Sequence, residues 1–505
     1  MRRTLLALGV LAALLAGCGA RTASVDPAAV PSQATLARTT IPPAGDWTRF
    51  DFDAQRSGVD PDPTGLGAHN VGALRLRRVR LPGTVDSSAI ELHGVAVHGR
   101  SHDVVVMTTT YGRTLALDLI TGRILWEFTP SDIRSYQGSA QITTATPVAD
   151  PDRHFVYAAS PDGRIHKLAV GSGREVRSGG WPVSVTFDPT HEKIATPLNI
   201  TGSSVVVSTD GYVGDAPPYQ GHVVMIDRSS GAITAVWNAL CSDRHGLIDP
   251  PRSCPASDAA IWGRNAAAIE PGSGRILIAT GNGPFNGSTD WGDSVLELSP
   301  DGRQLLHNWT PTDQAQLNSS DTDLGSTSPA ILPVYHGRRL AVQGGKAGVL
   351  DLLDLDRLDG TTGGPSGRLG GQVDQVPSPG SAEVFTAPAV WSHRGRIYVF
   401  VGDGAGTYAY TVTGGATHPR LDVAWRSGSG GTSPVIAGGL LYVYDPSGAL
   451  DVYLPASGHR VVSLPAGSGH WNSPIVVGGR VILPVGNAND HATSGTLDIF
   501  HLPGH

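Results

Sequence analysis

A set of four short apolar runs, each bounded by Gly or Asp, recurs along this chain and limits its fold more than any other feature. The first clear copy is Gly94-Val95-Ala96-Val97, Val104-Val105-Val106-Met107, Thr114-Leu115-Ala116-Leu117-Asp118 and, after the turn Thr121-Gly122, Ile124-Leu125-Trp126-Glu127-Phe128. Each run is strand-length and rich in branched side chains, so four of them make one antiparallel sheet. Later copies open at Thr146-Pro147, Thr196-Pro197, Trp262, Ser328-Pro329, Ala387-Pro388, Ser433-Pro434 and Ser473-Pro474, which makes eight units. The proline-to-proline spacing is 50 residues from Pro147 to Pro197, 59 from Pro329 to Pro388, 46 from Pro388 to Pro434 and 40 from Pro434 to Pro474. A proline is tolerated at the first residue of a strand because no ladder donor is needed there. Abundant glycine (65) and proline (37), with only 16% charged residues, also favour short strands and turns over long charged helices.

Four-stranded units at this period predict an all-β fold, an eight-bladed β-propeller of antiparallel blades over residues 46–505. The last unit has only three strands, ending in Thr496-Leu497-Asp498-Ile499-Phe500. Its missing strand is expected from Leu74-Arg75-Leu76-Arg77-Arg78-Val79-Arg80-Leu81, which alternates apolar and mostly basic residues ahead of the first full unit. Such a strand closes the ring and leaves fewer exposed sheet edges.

Residues 1–17 read as an export leader: Arg2-Arg3, an apolar run from Leu5 to Leu15 too short to span a bilayer comfortably, and a small-residue cleavage site. Leu15-Ala16-Gly17-Cys18 resembles the lipobox of bacterial lipoproteins, which implies lipidation of Cys18 and an extracytoplasmic, membrane-anchored location. Residues 18–45, rich in Ala, Thr, Ser and Pro, read as a flexible tether. The formal charge of −7 becomes −9 (35 basic against 44 acidic) without the two leader arginines, and an acidic chain lacking a basic run gives no support for nucleic-acid binding. Cys241 and Cys254 then remain. In an exported chain they most simply form a disulfide, worth roughly 3 kcal/mol by loop entropy, the alternatives being two buried thiols or, with fewer ligands at hand, a metal site.

The residues least like filler fall at run ends between Trp262 and Lys346: Trp262-Gly263-Arg264, Thr280-Gly281-Asn282, Thr310-Pro311-Thr312-Asp313, Asp321-Thr322-Asp323-Leu324-Gly325 and Gly344-Gly345-Lys346. They line one polar pocket, or they are ordinary turn chemistry, since Asn and Asp are favoured in such turns and bond nearby amides. Lys346 is one of only three lysines, with Lys167 and Lys193, beside thirty-four arginines, which hints at a role that a guanidinium cannot fill. The positions following each second strand, Tyr111, Asp162, Asp210, Asn282, Lys346, Asp403, Asp445 and Asn487, are expected to share one face with the lead-ins to the first strands.

The run Gly112-Arg113-Thr114-Leu115-Ala116-Leu117-Asp118 with Thr121-Gly122-Arg123-Ile124-Leu125-Trp126 resembles the repeat of pyrroloquinoline-quinone-type propellers, as found in quinoprotein alcohol dehydrogenases. By that resemblance Trp262 stacks on the quinone, Asn282 and Asp323 ligate Ca2+, Lys346 bonds the quinone oxygens, and Asp313 or Asp323 is the catalytic base. The chain departs from the pattern in three ways. The third unit offers Asp210 and Asp215 where the family has a calcium-binding glutamate, no vicinal cysteine pair is present, and no Cys-x-x-Cys-His supplies a haem domain, so electrons need a separate acceptor. Two functions follow: a lipid-anchored quinone-dependent dehydrogenase of an alcohol or sugar, or a non-catalytic propeller that binds an envelope protein or polysaccharide. They are told apart by whether Trp262, Asn282, Asp313 or Asp323, and Lys346 converge.

Overall fold

The computed structural model describes residues 45–212, 216–359 and 367–504; the leader, Cys18 and nearly all of the tether lie outside the described residues. Eight four-stranded antiparallel sheets account for the main body. Blade 1 comprises Ile90–Val97, Arg100–Thr108, Thr114–Asp118 and Ile124–Phe128. The first strands of blades 2 to 8 are Val148–Ala149, Asn199–Thr201, Ala268–Ile269, Ala330–Ile331, Ala389–His393, Val435–Ala437 and Ile475–Val477. The prolines of the repeated step stand just ahead of these strands rather than within them, where a missing N–H costs no ladder bond.

Arg75–Leu81 pairs antiparallel with Gly495–His501 in the register Arg75↔His501 to Leu81↔Gly495, and so supplies the outermost strand of blade 8. Buried apolar clusters span every neighbouring pair of blades, and one of them joins Tyr442 of blade 7, Ile482 of blade 8 and Val105 of blade 1 across the seam. A sheet flanked by another sheet on both faces must bury both. Thr114–Asp118 accordingly has all five residues buried, without the polar alternation of a one-sided sheet. In blades 1, 3, 4, 6 and 7 the register shifts by a bulge between the third and fourth strands, which adds local twist toward the rim.

The sequence pattern did not foretell what residues 46–66 do. This irregular segment runs past the inner strands in turn: Trp47 pairs with Glu91 of blade 1, Thr48 O accepts from Ala149 N of blade 2, and Arg49 donates to Asn199 of blade 3. Ala54 O accepts from Ile269 N of blade 4, Ser57 O from Val390 N, Gly58 O from Ile436 N, and Thr64 O from Gly479 N of blade 8. Arg56, 1% exposed, anchors the middle, donating to the carbonyls of Phe50, Pro197, Leu198 and Asn265. Among the described residues no helix is long and apolar enough to cross a membrane.

Candidate functional site

A cavity of about 520 Å³ opens where the lead-ins to the first strands meet the residues that follow the second strands. The lead-ins contribute Asp86, Thr144, Ala195, Trp262, Arg264, Phe385 and Trp471; Asp210, Lys346 and Asn489 follow second strands. The expectation that these two sets share a face holds for those positions.

Trp262, Asp321, Asp323 and Lys346 all line the cavity. Lys346 Nζ lies 2.5 Å from Asp323 Oδ2, 3.2 Å from Asp321 Oδ1 and 5.7 Å from the centre of the Trp262 ring. Burial works against this ammonium, but the two aspartates outweigh it and hold the lysine pKa above its ordinary value. Trp262 is half-buried and tilted against Phe385, which in turn packs on Trp471, so aromatic faces wall one side.

Asn282 stands behind the aspartates rather than among the lining residues. Its backbone N donates to Asp323 Oδ1 at 2.8 Å and its Nδ2 to Asp321 Oδ1 at 2.9 Å. The second bond fixes the amide orientation and leaves Oδ1, which is buried, with no hydrogen-bond partner. Gly281 permits this approach: a Cβ there would lie 2.2 Å from Asp323 Oδ1 and 3.1 Å from Trp262 Nε1. Asp321 is held at φ 53°, a left-handed conformation that a non-glycine residue rarely adopts. Beside them Asp293 is fully buried; burial and then the Asp323 charge push its carboxyl up to about 8, against a hydrogen bond from Leu324 N.

The structure does not bring Asp313 to the cavity. It is exposed, at the head of the short helix Gln314–Ser319, and its charge acts on Asp351 of blade 5 instead. Of the two candidates for a base, only Asp323 faces the cavity. Cys241 and Cys254 form a disulfide, which ties the loop ahead of Trp262.

Reading the sequence missed Asp86, Lys193, Phe385, Trp471 and the role of Arg264. Arg264 is 4% exposed, donates to Trp471 O at 3.0 Å and lies over the Trp471 ring. Its charge acts on Asp86 and Asp210 of the cavity and also on Asp51 of the N-terminal segment, which links the pocket to that segment. A signal existed: Thr144, Phe385 and Trp471 each stand three residues ahead of the proline that opens their blade. Two of the three lysines, Lys193 and Lys346, reach the cavity, whereas Lys167 packs over Phe155. Ser160, His166 and Glu175 have the spacing of a nucleophilic triad, with His166 Nε2 2.7 Å from Ser160 Oγ and Nδ1 2.5 Å from Glu175 Oε1. Ser160 is fully buried, so the trio ties blade 2 together and is closed to substrate.

Residues 83–239, the first three blades, match the family model described as outer membrane protein assembly factor BamB. No curated protein matches the chain in sequence. Among solved structures, the quinohemoprotein alcohol dehydrogenase of Comamonas testosteroni is 15% identical at a TM-score of 0.64, over 91% of this chain and 81% of that one. A europium-containing methanol dehydrogenase is 15% identical at 0.66, over 91% and 98%. BamB of Moraxella catarrhalis is 14% identical at 0.50, over 85% and 99%. With eight four-stranded blades closed by the strand Arg75–Leu81, the chain has the propeller fold of these quinoprotein dehydrogenases, and its first three blades match the PQQ-repeat family model.

Proposed function

We propose that the cavity binds a flat, anionic quinone of the pyrroloquinoline type together with a cation, and that the chain is a lipid-anchored, extracytoplasmic dehydrogenase of a small alcohol or sugar. The observation that carries this reading is the convergence of Trp262, Asp323 and Lys346 in one cavity, with the partnerless Asn282 Oδ1 beside the two aspartates. The residues fit the group. The Trp262 indole offers an apolar platform, and Lys193, Arg264 and Lys346 offer positive charge to carboxylates. Asp321, Asp323 and the Asn282 amide oxygen form an all-oxygen donor set of the kind that suits Ca2+. Asp210, 1% exposed on the third blade, is the nearest counterpart of the family's glutamate.

The bound quinone would supply the two-electron acceptor, its redox chemistry being the cofactor's own. The chain's part is to orient the substrate and take a proton. Asp323, paired with Lys346 at 2.5 Å and lining the cavity, is the carboxylate placed to accept a hydroxyl proton. The tilted aromatics Phe385 and Trp471 offer apolar surface to a carbon skeleton. A separate acceptor would be needed to take up the electrons.

A second reading, a scaffold for an envelope protein, is favoured by the match of blades 1 to 3 to the assembly-factor model. The two are separated by titrating residues 46–505 with pyrroloquinoline quinone in the presence of Ca2+ or Eu3+ and following bound-quinone absorbance, then dye reduction with a panel of alcohols and sugars. The dehydrogenase reading expects micromolar or tighter binding that Trp262→Ala and Lys346→Ala abolish. Absence of binding at micromolar quinone leaves the scaffold. The anchor is tested separately: Cys18→Ser should move the full chain from the membrane fraction to the soluble one.

A further inference from the structure

Blade 1 holds a second group of ligand-type side chains, apart from the cavity. Along Ile90–Val97 the ladder to Arg100–Thr108 slips between Leu92 and Val95, so His93 and Gly94 bulge out of register, Gly94 at φ 62°. Asp46 Oδ1 accepts from His93 N at 2.8 Å and Asp103 Oδ1 accepts from Gly94 N at 3.0 Å, which fixes the bulge from both sides. A bulge re-aims the side chain that it carries. Here it turns His93 Nδ1 to within 2.7 Å of Asp103 Oδ1, yet out of hydrogen-bond alignment with any group.

Glu91 is the more telling residue. It is fully buried, and neither carboxylate oxygen has a hydrogen-bond partner. An unpartnered buried carboxylate is costly. Burial raises the Glu91 pKa well above its ordinary value, and the Asp103 and Asp46 charges raise it further, with Arg153 opposing. That arginine is already engaged, its Nε lying 2.8 Å from Asp46 Oδ2. Arg480, whose charge acts on Asp103, donates to Gly478 O. Donor atoms of Glu91, His93 and Asp103 all lie within 4.8 Å of one another.

We infer that Glu91, His93 and Asp103 form a site for a divalent cation of the zinc class. One imidazole nitrogen with two carboxylates suits Zn2+ better than Ca2+, which takes oxygen ligands. A cation between the three would neutralise Glu91 and take up the misaligned contact of His93 with Asp103. The site is structural in position: Glu91 exchanges backbone hydrogen bonds with Trp47, so the metal pins the first residues of the N-terminal segment to the ring.

The test is calorimetric titration of the chelator-stripped protein with Zn2+, Mn2+ and Ca2+, each alone, in an Asp323→Asn background that weakens any contribution from the cavity. The expected result is one Zn2+ per chain, bound at least tenfold more tightly than Ca2+, with a rise in Tm that Glu91→Gln and His93→Ala remove. If His93→Ala does not fold, X-ray absorption at the zinc edge of the loaded parent protein should show one imidazole among oxygen ligands. The inference is overturned if Zn2+ does not bind, if it binds Glu91→Gln as well as the parent, or if no imidazole is seen. A metal-free Glu91→Gln more stable than the parent, with no zinc uptake by either, would identify Glu91 as a buried neutral acid.

Discussion

Replacing Arg56 by methionine tests whether the N-terminal segment is integral to the ring. The guanidinium donates to Phe50 O at 2.7 Å, Leu198 O at 2.9 Å, and Pro197 O and Asn265 O at 3.2 Å each, thereby joining the segment to the lead-ins of blades 3 and 4. Methionine keeps the apolar stem and removes every donor. Four carbonyls lose a charged partner, and Asp51, buried and close to Arg56, loses the cation that favours its ionised form. Hydrogen bonds to charged groups contribute about 1.5–3 kcal/mol each, but they are not additive, and the buried charge itself costs several kcal/mol. The net loss should fall near 3–5 kcal/mol, as for breaking one partner of a buried charge network.

For a body of this size the unfolding entropy scales to about 1 kcal/mol per degree, so Tm should fall by roughly 3–5 °C. Calorimetry measures that shift, and limited proteolysis reports whether residues 46–66 have become the first site of cleavage. Lysine at position 56 should rescue little, because a compact ammonium cannot span carbonyls from three separate stretches of chain. A Tm within 1 °C of the parent, with the segment still protected, would refute the keystone role of Arg56.

Asp351, 3% exposed on blade 5, gives a pH signature: burial pushes its carboxyl up to about 7, the Gln375 hydrogen bond opposing and Asp313 adding to the rise. The folded chain then keeps a proton that the unfolded chain releases near pH 4, so stability falls as pH rises from about 4 to about 7 and falls no further above that. Asp351→Asn, which can keep the Gln375 bond, should remove this slope and stabilise the protein above pH 7 by at most about 4 kcal/mol, with no gain at pH 4 by denaturant titration. Replacing Cys241 and Cys254 together by serine opens a loop with a sequence separation of 13 and should cost roughly 3 kcal/mol in the same assay.

The ring was legible because its signals are local and repeated. Arg75–Leu81 could be matched to blade 8 because the last unit lacked one strand and this run of apolar and basic residues stands unclaimed ahead of the first full unit. The disulfide followed from having two cysteines left over. The N-terminal segment left no such signal: its order comes from hydrogen bonds that the inner strands supply, and nothing periodic in residues 46–66 announces them. Asp313 shows the opposite failure. Its Thr-Pro-x-Asp surroundings looked informative, but Asp313 stands exposed at the head of a short helix and outside the cavity lining, and a local likeness does not carry three-dimensional placement. Trp471 and Phe385 lay between these cases, since their shared offset from the blade-opening prolines becomes meaningful only when all eight units are aligned.

The division of labour between the two ends of the inner strands follows from the same construction. The lead-ins to the first strands carry the cavity, whereas the N-terminal segment bonds along the strands themselves, so the side chains that hold the ring and those that face a ligand are largely different residues. Arg264 is the exception: it lines the cavity, stacks on Trp471, and its charge acts on Asp51 of the segment. Its Nε is buried without a partner and its guanidinium pKa is lowered by burial, which marks a charge that the fold holds at a cost. A chain that needed only a closed ring would fill that position more stably with an apolar side chain. The retained arginine therefore argues that the cavity is built to meet negative charge on a ligand, with Asp321, Asp323 and Asn282 on the blade 4 and 5 side meeting positive charge. A flat anion bound together with a cation satisfies both, whereas a purely cationic ligand satisfies only the second and a purely apolar one neither.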